Sequence, residues 1–381
     1  MEGRTGREFS CGGSRVSSLV SRSSHRYFIL GALGAWAVHL GLCLAQAEPY
    51  PTKPVKIVIP YPISGPPDIR GMQRMSRTYR MIASNAPPPI SDTLARIVAH
   101  AIQPDTTRPV VLERHPGAIT TRGAMTVLRA PADGHTLLLG SNATIVINPH
   151  YFHDVPYAPA RDFELIAPLV TMPFVLLVHS TLPADTPQEL ISWLKPRPGE
   201  INFGSSGDGS TGHLAGELFR RMIPVSVVHV SYNGGVAALN GLAAKQVAWM
   251  FAALPLALPY LANDRFRPIA VSTARRIEEL PTLPTLAESG LPAYEIEGWF
   301  GMFARVHTPR TAAAWLRSRI GAMISDAATR SVLRSHGLLP ATMSLEQFAT
   351  RIHTESDKWG PVLRASRLPL RDEGRRQKDE G

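Results

Sequence analysis

The sequence predicts an α/β protein made of parallel strand-and-helix layers, and three observations carry that expectation. Short apolar runs alternate with amphipathic helical stretches through most of the chain, the pattern of strand–helix–strand units. At 381 residues the chain is long enough for two such sheets rather than one. Several strand candidates run directly into loops of Gly, Ser, Asn and Thr, and open α/β sheets bind ligands outside the carboxyl ends of their strands.

The first 47 residues are a leader rather than part of the fold. Arg15, Arg22 and Arg26 precede an apolar run over 27–44, and Ala45-Gln46-Ala47 has the small-x-small pattern of a cleavage site. The run approaches the length of a membrane span, but His39 interrupts it and the cleavage pattern follows it. Bulky Leu42 before Cys43 argues against a lipid-anchored cysteine. The chain is therefore expected to be exported and cleaved after Ala47. Both cysteines, Cys11 and Cys43, leave with the leader. The remaining chain can form no disulfide, thiolate metal site or cysteine nucleophile. Removing five arginines and two acidic residues lowers the formal charge from +10 to +7. That charge is spread along the chain, without the basic, aromatic-interleaved stripe of a nucleic-acid binder.

The elements follow in order. VKIVI at 55–59 is a β-branched, apolar strand candidate. Segment 63–91 breaks the pattern: it is proline-rich, carries Arg70, Arg74, Arg77 and Arg80, and is bracketed by Pro-Ile-Ser at 62–64 and 89–91. So long a loop inside a domain is unusual. It reads as an exposed insertion, with an arginine-bearing lid as the sharper alternative. Helical periodicity marks 92–102, 120–129, 187–194, 212–222, 235–243, 310–327 and 345–364. Further strands are expected at 110–113, 136–139, 174–179, 201–203, 225–230, 247–251 and 268–271. The polar tail 371–381 is expected to fray.

The segment INFGSSGDGSTGHLAGELF, 201–219, holds the most functional information. A strand, a Gly/Ser turn and a helix N-terminus together form a ready anion site, because free backbone N–H groups and hydroxyls converge there. Gly207-x-Gly209-x-x-Gly212 matches a dinucleotide fingerprint, yet the next strand ends in Ser231 and Tyr232 rather than the acidic ribose partner. A nucleophile elbow needs glycine on both sides of the serine. Ser206 has Gly204 before it but Asp208 after it, and Ser210 has Asp208 before it. His213, at a helix start, reads as a loop support rather than a base. His150 and His153 are three apart but lack further ligands at metal spacing. No catalytic, cofactor or metal residues are therefore expected. What remains is three polar loops after strands: Ser141-Asn142-Ala143-Thr144, Ser205 through Thr211, and Tyr232-Asn233-Gly234-Gly235. Hydroxyls, amides and N–H groups of this kind bind; they do not make an acid–base pair.

At these residues the chain resembles the Bug family, the periplasmic receptors of tripartite tricarboxylate transporters. YPTKPVKIVIPYP is similar to the family's first strand, and ADGHTLLLGSNATIVINPHYF, the 201–219 segment and VVHVSYNGG to its ligand loops. LPTLPTLAESGLPAYEIEGWFGMFA and the helix around Lys358-Trp359-Gly360 resemble its C-terminal part. The resemblance implies a two-lobed type II periplasmic binding fold, a Venus flytrap with its cleft between lobes. One lobe would comprise 48–177 and 290–381, the other 178–289. It implies a monomer that captures a small organic carboxylate for membrane permease subunits. A sensing protein of the same fold is the alternative, and an exported hydrolase a weaker one. Carried over by block, the ligand residues are Ser141, Asn142 and Thr144; Ser205, Ser206, Gly207, Gly209, Ser210 and His213; and Tyr232, Gly234 and Gly235. The family's first loop, roughly P-x-P-x-G-G-x-x-D, adds Ser64, Gly65 and Asp68, although SDTLAR offers Asp92 as the rival aspartate. The chain departs from the family at Ser64 and Pro66, where glycines are usual. Asn233 stands in place of a lysine, and Ala252 and Ala253 where an acidic residue is usual.

Overall fold

Strand β1 (Val55–Ile59) is buried everywhere except Lys56, as a β-branched run in a covered sheet should be. The computed structural model describes residues 50–61, 90–106, 108–117, 120–151 and 155–365, all within one compact unit, Tyr50–Gly381. Residues 1–49, which include the expected leader, nearly all of 63–91 with Ser64, Gly65 and Asp68, His153, and the tail 371–381 lie outside the described residues.

Helix α1 (Ile90–Ile102) follows, burying Leu94, Ala95, Val98 and Ile102 along one stripe. Next come β2 (Val110–Arg114), α2 (Thr121–Arg129) and β3 (Thr136–Ser141), with β1 pairing in parallel to both β2 and β3. A π-helical turn, Ala143–Ile147, and a short turn, Asn148–Tyr151, leave β3. Strand β4 (Phe163–His179) is 17 residues long. After it the chain runs through α3 (Pro187–Leu194), β5 (Asn202–Ser205), α4 (Thr211–Met222), β6 (Val228–Ser231), α5 (Gly235–Ala243), β7 (Trp249–Ala253) and β8 (Phe266–Val271). It closes with β9 (Glu297–Arg305), α6 (Arg310–Ser325), α7 (Ala327–Ser335), β10 (Leu339–Pro340) and α8 (Leu345–Ala365). No helix among the described residues is long and apolar enough to cross a membrane.

The strand order β2-β1-β3-β9-β4-β7-β5-β6, with β8 and β10 also on β4, corrects the expectation of purely parallel sheets. Parallel pairs occur within each half: β1 with β2 and β3, β5 with β6 and β7. Strands β4 and β9 run antiparallel between these halves and join them. The N-terminal part of β4, through Pro173, pairs with β9, whereas Phe174 onward pairs with β7 and β8. Pro168 and Pro173 supply no N–H to a ladder. The ladder shifts register beside Pro168, and the change of partner falls immediately after Pro173. The same prolines hide the first part of this strand from a periodicity search, which marks only 174–179. The expected lobe change at 177/178 falls inside β4, a few residues beyond that switch. Helix 310–327 divides at Asp326, whose side chain accepts from Thr329 N–H and caps α7.

Candidate ligand-binding site

The carboxyl ends of β3, β5 and β6 each feed a polar turn that enters a helical segment, and the three turns touch. After β3, Ser141, Asn142 and Thr144 are all buried. The Asn142 amide donates to Thr211 Oγ1 at 3.0 Å, tying this loop to the first residue of α4. Tyr151 packs its ring beside Gly209. From β6, Tyr232 N–H donates to Ser205 O at 3.1 Å and Gly234 N–H to Ser206 O at 3.2 Å. The three loops predicted from sequence therefore meet at one place.

Local chemistry explains the shape of the central turn. Gly207 and Gly209 have φ of 133° and 73°, a region that a side chain resists. Ser205 Oγ accepts from Gly207 N–H at 3.2 Å, and Ser210 Oγ accepts from His213 N–H at 3.2 Å as the cap of α4. The amides of Thr211 and Gly212 have no acceptor within the helix, because they open its first turn. Helix α5 likewise starts at Gly235, beside Ser206. Two helix N-termini and neutral hydroxyls thus provide donors, and Ser206 is exposed among them. Asp208 is the single charged side chain within the three turns.

Several expected residues have their polar atoms turned inward. Ser205 is fully buried and lies 2.7 Å from His229 Nε2. His213 is fully buried, and its Nδ1 accepts from Gly209 N–H at 3.1 Å, the loop support that its helix-start position suggested. The Tyr232 hydroxyl donates to Gln246 Oε1 at 3.2 Å, so the loop after β6 presents backbone rather than phenol. Asp92 is buried in the first turn of α1 and ion-paired to Arg114 at the end of β2.

The structure adds residues that the sequence did not single out. Tyr61, just past β1, donates to Ser141 Oγ at 2.5 Å and packs edge-on against Phe300. Burial pushes its hydroxyl up to about 12, so it stays a donor. Thr120 holds φ of 74°, rare for a β-branched residue, and its Oγ1 lies 2.8 Å from that of Thr144. Tyr157 donates to Thr144 O at 2.8 Å. Asp208, His213 and His229 bring ligand-type atoms within 4.8 Å of one another, a grouping that sequence spacing concealed because His229 comes from a separate strand.

The sequence profile described as "Tripartite tricarboxylate transporter family receptor" matches residues 94–368. BugT of Bordetella pertussis is 25% identical over 345 residues, covering 90% of this chain and 98% of its own. A UPF0065 protein from the tcbD-tcbE intergenic region of a Pseudomonas species is 28% identical over 349 residues, covering 89% and 96%. Among solved structures, R. palustris Rpa4515 with adipate matches at a TM-score of 0.70 and 30% identity, over 83% of this chain and 97% of that one. MatC from Rhodopseudomonas palustris with bound malate matches at 0.65 and 25%, over 82% and 100%. The two-lobed architecture and the profile match across most of the described fold agree: the chain belongs to the tripartite tricarboxylate transporter receptor family, whose relatives include the Bug proteins.

Proposed function

We propose that this protein is an exported receptor, freed from its leader after Ala47, that captures a small organic carboxylate and presents it to membrane permease subunits. The observation that carries this reading is the convergence of three strand-to-helix turns whose donors are N–H groups and hydroxyls, with the β3 loop bonded across to α4 through Asn142 and Thr211. Such a set holds carboxylate oxygens without a buried cation. Ser205 Oγ does lie 2.7 Å from His229 Nε2, but Ser205 is fully buried beneath the turn, so this hydroxyl is not presented to a substrate carbonyl. Relatives of the same fold were solved with adipate and with malate, which supports the same ligand class. The lobes would close about β4 and β9, the strands shared between the two parallel groups.

A thermal-shift screen of the protein against mono-, di- and tricarboxylates tests this. A ligand at a hundred times its Kd stabilises by about 2.7 kcal/mol, a readily measured rise in Tm. A rise with amines or sugars and none with any carboxylate would overturn the reading.

A further inference from the structure

Two histidines stack beneath the central turn. His213 of α4 and His229 of β6 lie face to face, ring centroids 3.8 Å apart and planes 8° from parallel. Phe203 of β5 packs on His229 at 4.9 Å, and Trp249 of β7 stacks on Phe203 at 4.7 Å. Each imidazole gives one nitrogen to the turn. His213 Nδ1 takes the Gly209 N–H, and His229 Nε2 meets the Ser205 hydroxyl that also receives Gly207 N–H. The conformation of 205–209 is therefore set from below by this pair.

The direction of the His213 bond fixes its proton. A ring whose Nδ1 accepts is neutral, with its hydrogen on Nε2. A second proton would put Nδ1–H against Gly209 N–H, donor facing donor, and the contact would turn from attractive to repulsive. We propose that the stacked His213–His229 pair is the positioning device of the ligand turn, and that protonation of His213 releases Gly209 and loosens carboxylate capture. Only the last clause rests on the carboxylate reading; the clamp itself stands on the geometry of the turn.

The surrounding groups set the balance. Asp208 Oδ1 lies 3.6 Å from His229 Nδ1, and Glu217 Oε1 lies 4.0 Å from His213 Nε2; both favour an imidazolium. Arg220 pairs with Glu217 at 2.7 Å and opposes it. The other neighbours, Phe203, Trp249 and the Tyr151 ring beside Gly209, bring no charge at neutral pH. Burial outweighs the carboxylates and holds both rings down to about 4. Asp208, His213 and His229 suit a metal ion less well. Stacked parallel rings keep their in-plane lone pairs from converging on one point, and His213 Nδ1 and His229 Nε2 are already engaged.

Amide hydrogen exchange of the whole protein, followed in peptides covering 204–212 and corrected for intrinsic rates, tests the clamp without any ligand. In the native sequence, protection is expected to fall about tenfold between neutral pH and about pH 4. His213→Ala should lose it already at neutral pH. His213→Asn places an untitratable acceptor near the Nδ1 position; it should recover most of that protection and keep it in acid. Asp208→Asn, a partly exposed change with little risk to folding, removes a charge that favours the imidazolium. It should move the loss to lower pH. Identical pH profiles for the native protein, His213→Asn and Asp208→Asn would overturn the proposal. Adipate and malate titrations on the same variants then separate the two readings. Since these carboxylates titrate in the same range, the decisive comparison is native protein against His213→Asn. If neither dicarboxylate binds any variant, the receptor reading loses its support while the exchange data still decide the clamp.

Discussion

Ser210 links local sequence to site geometry most directly, since one hydroxyl caps α4 and ends the Gly/Ser turn. Ser210→Ala removes the acceptor for His213 N–H and should cost about 1 kcal/mol, measured as a lowered urea midpoint at unchanged m-value. If the turn binds ligand, the same variant should also show a smaller carboxylate-induced rise in Tm. Tyr61→Phe keeps the ring against Phe300 but deletes the donor to Ser141. It should destabilise by about 1 kcal/mol, and an unchanged melt would mean that the hydroxyl contributes nothing. That the three loops lie together was legible because each follows a strand candidate, although Ser205, His213 and the Tyr232 hydroxyl are engaged within the protein itself. Tyr61, Thr120 and His229 were not legible, for a physical reason. His229 matters because β5 and β6 pair with Phe203 opposite it, and that register places it over His213. Thr120 matters because its left-handed backbone turns its hydroxyl to Thr144, some 24 residues away in sequence. Neither relation has a spacing signature.

Elements whose pattern was uninterrupted were legible in place and type: β1, α1, α2, α3, α4 and α5 lie within a few residues of where periodicity put them. The failures cluster on β4 and β9, the antiparallel pair at the centre. β4 contains prolines and β9 glycines, Gly298 and Gly301, that local pattern assigns to loops, whereas tertiary pairing makes them the seam of the fold. Long-range pairing overrides local propensity there. At the helix–sheet contact the packing is equally specific. A methyl group on Gly216 of α4 would lie 2.2 Å from the Phe203 ring. That ring is fully buried and stacked on Trp249, so it has little room to yield. Gly216→Ala should therefore destabilise by about 1–3 kcal/mol, despite the better helix propensity of alanine. Pairing it with Phe203→Leu in a double-mutant cycle should recover part of the loss; strict additivity would show that the two sites do not press on one another.

At the scale of the whole molecule, the buried histidines tie stability to acidity. An unfolded histidine takes up its proton near pH 6.5, whereas burial holds His213 and His229 down to about 4 in the folded chain. Between these values the unfolded state binds more protons, so stability is fully present above about pH 6.5 and is lost as pH falls towards about 4. Each group contributes a slope on the order of 1.4 kcal/mol per pH unit within that window. Glu113, Asp133 and Asp162 carry lowered values and add loss in the same direction at lower pH: a lysine hydrogen bond lowers the first, a backbone hydrogen bond from His135 the second and an arginine hydrogen bond the third. Glu297 works against them, because burial raises its carboxyl despite Arg351; its contribution to stability falls as pH rises through the range just above its ordinary value. The histidine window lies mostly above all of these carboxylates. Urea midpoints between about pH 7 and pH 5 should therefore fall with a slope of one to two protons, and His213→Asn should remove up to one proton of it. A flat profile over that interval in the native protein would show that the stacked pair takes up its protons at the ordinary histidine value, and a rise in stability towards pH 5 that it is already charged at neutral pH.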